Sequence, residues 1–267
     1  MARILIHVEG QTEETFVRDV LAEHLLVFGH DDVGARLLGN ARKRENRGGI
    51  RKWEPTRTEI CRHLIEEPTC YATTMVDYYG LPKSGVGAWP GTSGTLPQSY
   101  SDIADRLEIE ISKDIVASMG ANFDSSRFIP FVIMHEFEGL LFSDCTKFAS
   151  SMGKNHLAPK FELIRKQFST PEEINDSPIT APSKRVLKLL PSYQKPLMGT
   201  LAVREIGLAK IREQCPIFNR WVERLESIPR YVSSMLAPNS VRFSVQLKIP
   251  VDRISEPFRG GMICSQK

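Results

Sequence analysis

The chain has 267 residues, 41% of them hydrophobic and 25% charged, and its net charge of +3 points by itself to no nucleic-acid partner. This is the composition of a globular protein able to bury a core, and no apolar run approaches the roughly 20 residues that a membrane-spanning helix needs. Five scattered cysteines (Cys61, Cys70, Cys145, Cys215, Cys264) without a C-x-x-C pair argue against a disulfide framework or a zinc knuckle; with a start that turns acidic rather than apolar, they place the protein in the cytoplasm.

Residues Ile4 to Val8 read as a buried strand, and Thr12 to about Phe28 as an amphipathic helix with Phe16, Val20, Leu21 and Leu25 on one face. Thr12 has the chemistry of an N-cap, with acids in the turn that follows. Val33 to Leu38 is a second strand. A basic, glycine-bearing segment comes next, with Arg42, Lys43, Arg44, Arg47, Arg51, Lys52 and Arg57 around Gly48, Gly49 and Trp53. A helix from about Thr56 to Glu66 starts beside Pro55.

Tyr71 to Asp77 is a third strand by its β-branched content, and Gly80 to Gln98 is a loop rich in Gly, Pro and Ser. That loop lacks the G-K-[ST] ending of a P-loop, so any ATPase must be a partner. Helix resumes from Ser101 to about Ser118, and Arg127 to Met134 reads as a fourth strand. Beyond Leu140 the chain is mainly helical, with helices starting near Ser183 and running over Leu201 to Gln214 and Pro216 to Glu226. No periodicity marks Tyr231 to Lys267, which reads as a peripheral tail.

Three strands run into acids: the first into Glu9, the third into Asp77, the fourth into Glu136 and Glu138. Open α/β sheets place ligands at the carboxyl ends of their strands, and a carboxylate there needs a cationic companion. A divalent ion is such a companion, because Mg²⁺ takes oxygen ligands and is satisfied by one or two carboxylates plus waters and phosphate. Gly10 suits a tight turn or a close phosphate, and Glu13 is either a further ligand or a decoration of the helix start. Glu136 and Glu138 share a face only in extended backbone, and Glu136 is the favoured one. His135 is a general base, a phosphate donor or a structural histidine, and His7 is structural. Arginines, glycines and a tryptophan from Arg42 to Arg57 suit phosphate contact with stacking. Lys184 and Arg185, at a helix start, form a second phosphate point, and Lys195 and Arg204 are weaker ones.

Five segments resemble, in order, a group of small TOPRIM-like proteins related to the OLD-family nucleases. They are Val8-Glu-Gly-Gln-Thr-Glu-Glu14, Val76-Asp-Tyr-Tyr-Gly-Leu-Pro82, His135-Glu-Phe-Glu-Gly-Leu-Leu-Phe142, Ser177-Pro-x-x-Ala-Pro-Ser-Lys-Arg185 and Cys215-Pro-x-Phe-x-x-Trp221. The resemblance spans about residues 1 to 228. It implies a TOPRIM-like (Rossmann-like), mostly parallel sheet flanked by helices. The catalytic core would cover residues 1–145, a helical C-terminal region completing the domain 146–230, and the tail 231–267. It further implies Mg²⁺- or Mn²⁺-dependent cleavage of DNA or RNA, with Glu9, Asp77 and Glu136 as catalytic acids and Glu13 and Glu138 as further metal ligands. Members are often encoded beside ATPases in bacterial phage-defence loci, so an ATPase partner is expected. One departure matters: Tyr79 stands where the second acid of the Asp-x-Asp motif belongs. It motivates the alternative of a non-catalytic regulatory or binding module. A primase-like nucleotidyl transferase is a weaker third reading.

Overall fold

Runs of aliphatic and β-branched residues build an all-parallel sheet in the computed structural model, which describes residues 3–30, 32–39, 52–175 and 179–229. The strands are β1 (Arg3–Val8), β2 (Asp32–Leu37), β3 (Cys70–Asp77), β4 (Phe128–Ile129) and β5 (Val132–Ile133). Their order is β2-β1-β3-β4, with β5 also paired to β3. From the central pair the chain leaves β1 toward β2 on one side and β3 toward β4 on the other. The carboxyl ends of β1 and β3 are therefore a topological switch point, where such sheets open a crevice.

The fourth strand expected over Arg127 to Met134 is split. Pro130 has no N–H to give to a ladder, and the pairing lapses there before resuming at Val132. Threonines of β3 fill the gap: Thr74 Oγ1 donates to Phe131 O (2.9 Å) and accepts from Phe131 N–H (3.0 Å), and Thr73 Oγ1 donates to Ile129 O (2.5 Å). Thr74→Val keeps the shape and leaves both Phe131 groups unpaired in the core. It is expected to cost about 2 kcal/mol of stability, read as a lower urea midpoint with an unchanged slope.

Helices pack on both faces. On one, α1 (Gln11–Phe16) continues through a π-helical turn (Val17–Leu21) into α2 (Ala22–Val27). The expected cap at Thr12 is not used: Gly10 takes the cap position without a side-chain bond, and Thr12 is buried in the first turn. The same face receives α11 (Pro216–Glu226), whose Trp221 Nε1–H donates to Thr73 Oγ1 (2.8 Å) and whose Phe218 ring lies 6.0 Å from Phe16. The opposite face carries His7, covered by α3 (Trp53–Glu66) through a 2.9 Å contact of His7 Nε2 with His63 Nδ1. Helix α4 (Tyr100–Met119) buries Ile103, Leu107, Ile111 and Ile115 at four-residue spacing.

The remaining helices form the helical C-terminal region: α5 (Glu138–Leu141), α6 (Cys145–Ser151), α7 (Ala158–Arg165), α8 (Pro182–Leu189), α9 (Thr200–Ile206) and α10 (Leu208–Gln214). The helix expected from Leu201 to Gln214 breaks at Gly207, whose φ of 83° only glycine adopts readily. All described residues fall in one compact unit. The expected tail, residues 231–267, lies outside the described residues. No helix among those described is long and apolar enough to cross a membrane.

Candidate metal centre

The strand-end acids meet at the switch point. Glu9 follows β1 directly and Asp77 closes β3, and the Asp77 backbone N–H points at Glu9 Oε2 (3.4 Å). Gly10 has extended backbone, so its need for glycine is one of space: a Cβ there would lie 2.9 Å from Glu13 Oε2. The missing side chain lets Glu13, in the first turn of α1, fold back toward Glu9. Asp77 Oδ1 is held by the Phe137 N–H (3.0 Å), which also brings the start of α5 alongside. Glu138, first residue of α5, is 0% exposed; its Oε1 has no hydrogen-bond partner and its Oε2 has only a lysine ammonium near it.

Lys195 reaches into this group from a π-helical turn (Lys195–Gly199). Its Nζ lies 3.2 Å from Glu138 Oε2, 3.4 Å from Asp77 Oδ2 and 3.6 Å from Glu13 Oε1. The stem is partly exposed while the ammonium sits among buried oxygens, as long cationic side chains often divide. Among the described residues no other Lys or Arg forms an ion pair with Glu9, Glu13, Asp77, Glu136 or Glu138. The Tyr193 hydroxyl is buried without a partner, and burial, reinforced by Glu138, raises it above the usual tyrosine range.

The electrostatics are those of an over-acidic pocket. Burial, reinforced by Glu13, pushes the Glu9 carboxyl up to about 7, against the pull of Lys195. Burial raises Asp77 well above the usual carboxylate range although Lys195 opposes it, and burial raises Glu138 in the same way. Burial lowers the Lys195 ammonium, but Asp77, Glu138 and Glu13 outweigh it and leave the group firmly protonated. Burial thus favours protons on acids that the single cation does not neutralise.

Of the strand-end acids, Glu138 rather than the favoured Glu136 stands against Lys195. Glu136 turns to the start of α8, where its Oε2 accepts the Ser183 N–H (2.8 Å). That helix start was expected to hold a phosphate; it holds a carboxylate of the chain itself. Beside it Lys184 is exposed, whereas Arg185 donates to Thr180 O (2.6 Å) and lies over the Phe168 ring. Arg42, Lys43, Arg44, Arg47 and Arg51 lie outside the described residues. Lys52 is exposed, its stem packed over Gly87. Trp53 is not a stacking platform: it is buried 4.9 Å from Trp89, and its Nε1–H donates to Asp114 Oδ2 (2.7 Å). Arg57 pairs with the same Asp114, and Arg204 pairs with Asp19. His135 is buried under the Tyr100 ring edge, and burial lowers it to about 4, which suits a structural group better than a base.

The sequence marks Lys195 only as a weak phosphate contact and gives no signal at Lys83, whose Nζ stands 3.9 Å over the Tyr78 ring and 5.6 Å from that of Tyr79. Gly10→Ala tests the cage directly. It should push Glu13 aside and weaken divalent-ion binding about tenfold in calorimetry, with less than about 1 kcal/mol change in stability, because the clash is with the end of a flexible side chain.

The fold and site together define an α/β protein with a carboxylate cage at the switch point of a parallel sheet. Residues 8–226 match the model of the family described as Domain of unknown function (DUF4276), and the chain belongs to that family. No curated protein and no solved structure matches it.

Proposed function

We propose that this chain is a TOPRIM-like, divalent-metal-dependent nuclease that hydrolyses phosphodiester bonds of DNA or RNA, as the effector of an ATPase-coupled phage-defence system. The observation that carries the reading is the fully buried Glu138, whose Oε1 has no partner and whose Oε2 has only the Lys195 ammonium, which it shares with Asp77 and Glu13, while Glu9 adjoins Asp77. A buried carboxylate left without partners is costly unless a cation completes it. The donors are hard carboxylate oxygens, which suits Mg²⁺ or Mn²⁺. Among the described residues no three His, Cys, Asp or Glu side chains already surround a common ion position; the acids face the Lys195 ammonium.

Glu9, Glu138 and Glu13 are the residues that would hold the ion, with Asp77 completing the set and Glu136 at its border. When bound, such an ion activates water and neutralises phosphoryl charge. The chain's own contribution is positioning: Phe137 N–H fixes Asp77, Ser183 N–H fixes Glu136, and the cage lies at the end of a rigid sheet. Exposed Lys184, next to the Ser183 whose N–H holds Glu136, would meet a backbone phosphate, and exposed Lys83 with partly exposed Tyr79 would meet a nucleotide.

The test is cleavage of plasmid, single-stranded DNA and tRNA by the purified full chain with Mg²⁺ or Mn²⁺, alone and with any ATPase found encoded beside it. Wild type should cut and Glu138→Gln should lose at least about 10²-fold. Absence of cutting in every mixture, or a variant as active as wild type, overturns the reading. The alternative, a regulatory module without turnover, draws on Lys195 as a partial neutraliser of the cage. It requires that wild type bind nucleic acid yet no divalent ion.

A further inference from the structure

We propose that Lys195 is the resident second cation of this centre, so that the cage takes one divalent ion where a two-metal site takes two. The inference rests on the metal reading above. Its ammonium touches one oxygen of each of three acids, Asp77, Glu13 and Glu138. A second ion would need those same oxygens.

The contacts are also longer than the about 2.7–2.9 Å of a charge-assisted N–H···O bond. The cage is wider than an ammonium alone requires. Glu138 Oε1 is buried and without a partner, and the only hydrogen bond to the Glu9 carboxylate among the described residues is from Asp77 N–H to Oε2. Glu138 Oε1 and the second Glu9 oxygen remain for an ion beside the lysine. The buried, unpartnered Tyr193 hydroxyl (8% exposed) is a second polar group left without a partner beside the acids.

Lys195 is built into its place. Its turn packs on the start of α1, where a Cβ on Gly199 would lie 3.1 Å from the Tyr193 hydroxyl and 3.3 Å from Thr12 Cγ2. Pro196 fixes the backbone immediately after the lysine. The turn is therefore held against the same helix that carries Glu13, and the ammonium stays with the acids when the neighbouring ion binds.

The experiment is Mn²⁺ stoichiometry on the full chain, by calorimetry and by electron paramagnetic resonance of bound Mn²⁺, for wild type, Lys195→Met and Lys195→Arg. Wild type and Lys195→Arg are expected to bind one Mn²⁺ per chain, and Lys195→Met two. Two ions in wild type, or one ion in Lys195→Met at whatever affinity, overturns the proposal and leaves the metal reading intact. No binding in any of the three proteins overturns both. Should Lys195→Met fail to fold by circular dichroism, Lys195→Gln, also uncharged, is read by the same criteria.

Discussion

Asp77→Asn is expected to lower phosphodiester cleavage by at least about 10²-fold and to abolish Mn²⁺ binding, while the protein stays folded. Asparagine keeps an oxygen for the Phe137 N–H, so the start of α5 remains tied to the end of β3. What changes is the side facing Lys195 (3.4 Å), where an amide that can donate replaces an acceptor-only oxygen. The ammonium then leans on Glu13 and Glu138, and these are the acids an ion needs. One substitution so removes a ligand and commits two others. The matched control is Asp105→Asn, at a part-exposed acid paired with Arg220 on another side of the molecule, which should leave cleavage within twofold. If Asp77→Asn retains more than half of wild-type activity in the same assay, the switch-point acids are not the reaction centre.

The parts of this site that could be read in the sequence are those written locally. β1 and β3 announce themselves as apolar, β-branched runs, each ended by an acid, and α11 begins at Pro216 as expected. Glu9 and Asp77 were legible because a carboxylate after a buried strand is improbable without a purpose. Lys195 was not, since nothing near it marks a partner 118 residues away. The choice between Glu136 and Glu138 depended on where strand gives way to helix and on the Ser183 N–H, 47 residues later, that takes up Glu136. Trp53 misled for the same reason: in an arginine-rich stretch it reads as a stacking group, but Trp89 and Asp114, the latter 61 residues on, pull it into the core. Pro130 was visible in the sequence. That two threonines of β3 would bridge the lapse it causes was not, because the repair is made by side chains of another strand.

Without divalent ions, Glu9→Gln should be more stable than wild type at pH 7.5 by up to about 3 kcal/mol, and the difference should vanish near pH 4.5. Burial and Glu13 push the Glu9 carboxyl from 4.5 up to about 7. A folded-state value above the unfolded one means that the native chain binds more protons between those limits. Stability from this group is then full below about pH 4.5, falls as pH rises through the window, and is flat above it. Gln still accepts from the Asp77 N–H and carries no charge to desolvate. Glu108 and Glu172, each raised by burial to about 7, slope the same way. His7 and His135, lowered by burial to about 3 and about 4, slope the opposite way up to the ordinary histidine range. All four are common to both proteins and cancel in the difference, which is why the comparison and not the wild-type curve is the measurement. Mn²⁺ should invert the order: at a thousand times its Kd it adds about 4.1 kcal/mol to wild type and nothing to a variant that no longer binds it. Chemical denaturation at pH 4.5, 6 and 7.5, with and without Mn²⁺, decides the matter. A stability difference that does not move with pH would mean that Glu9 is already ionised and paired in the fold, and the cage would then have no excess charge for a metal to complete.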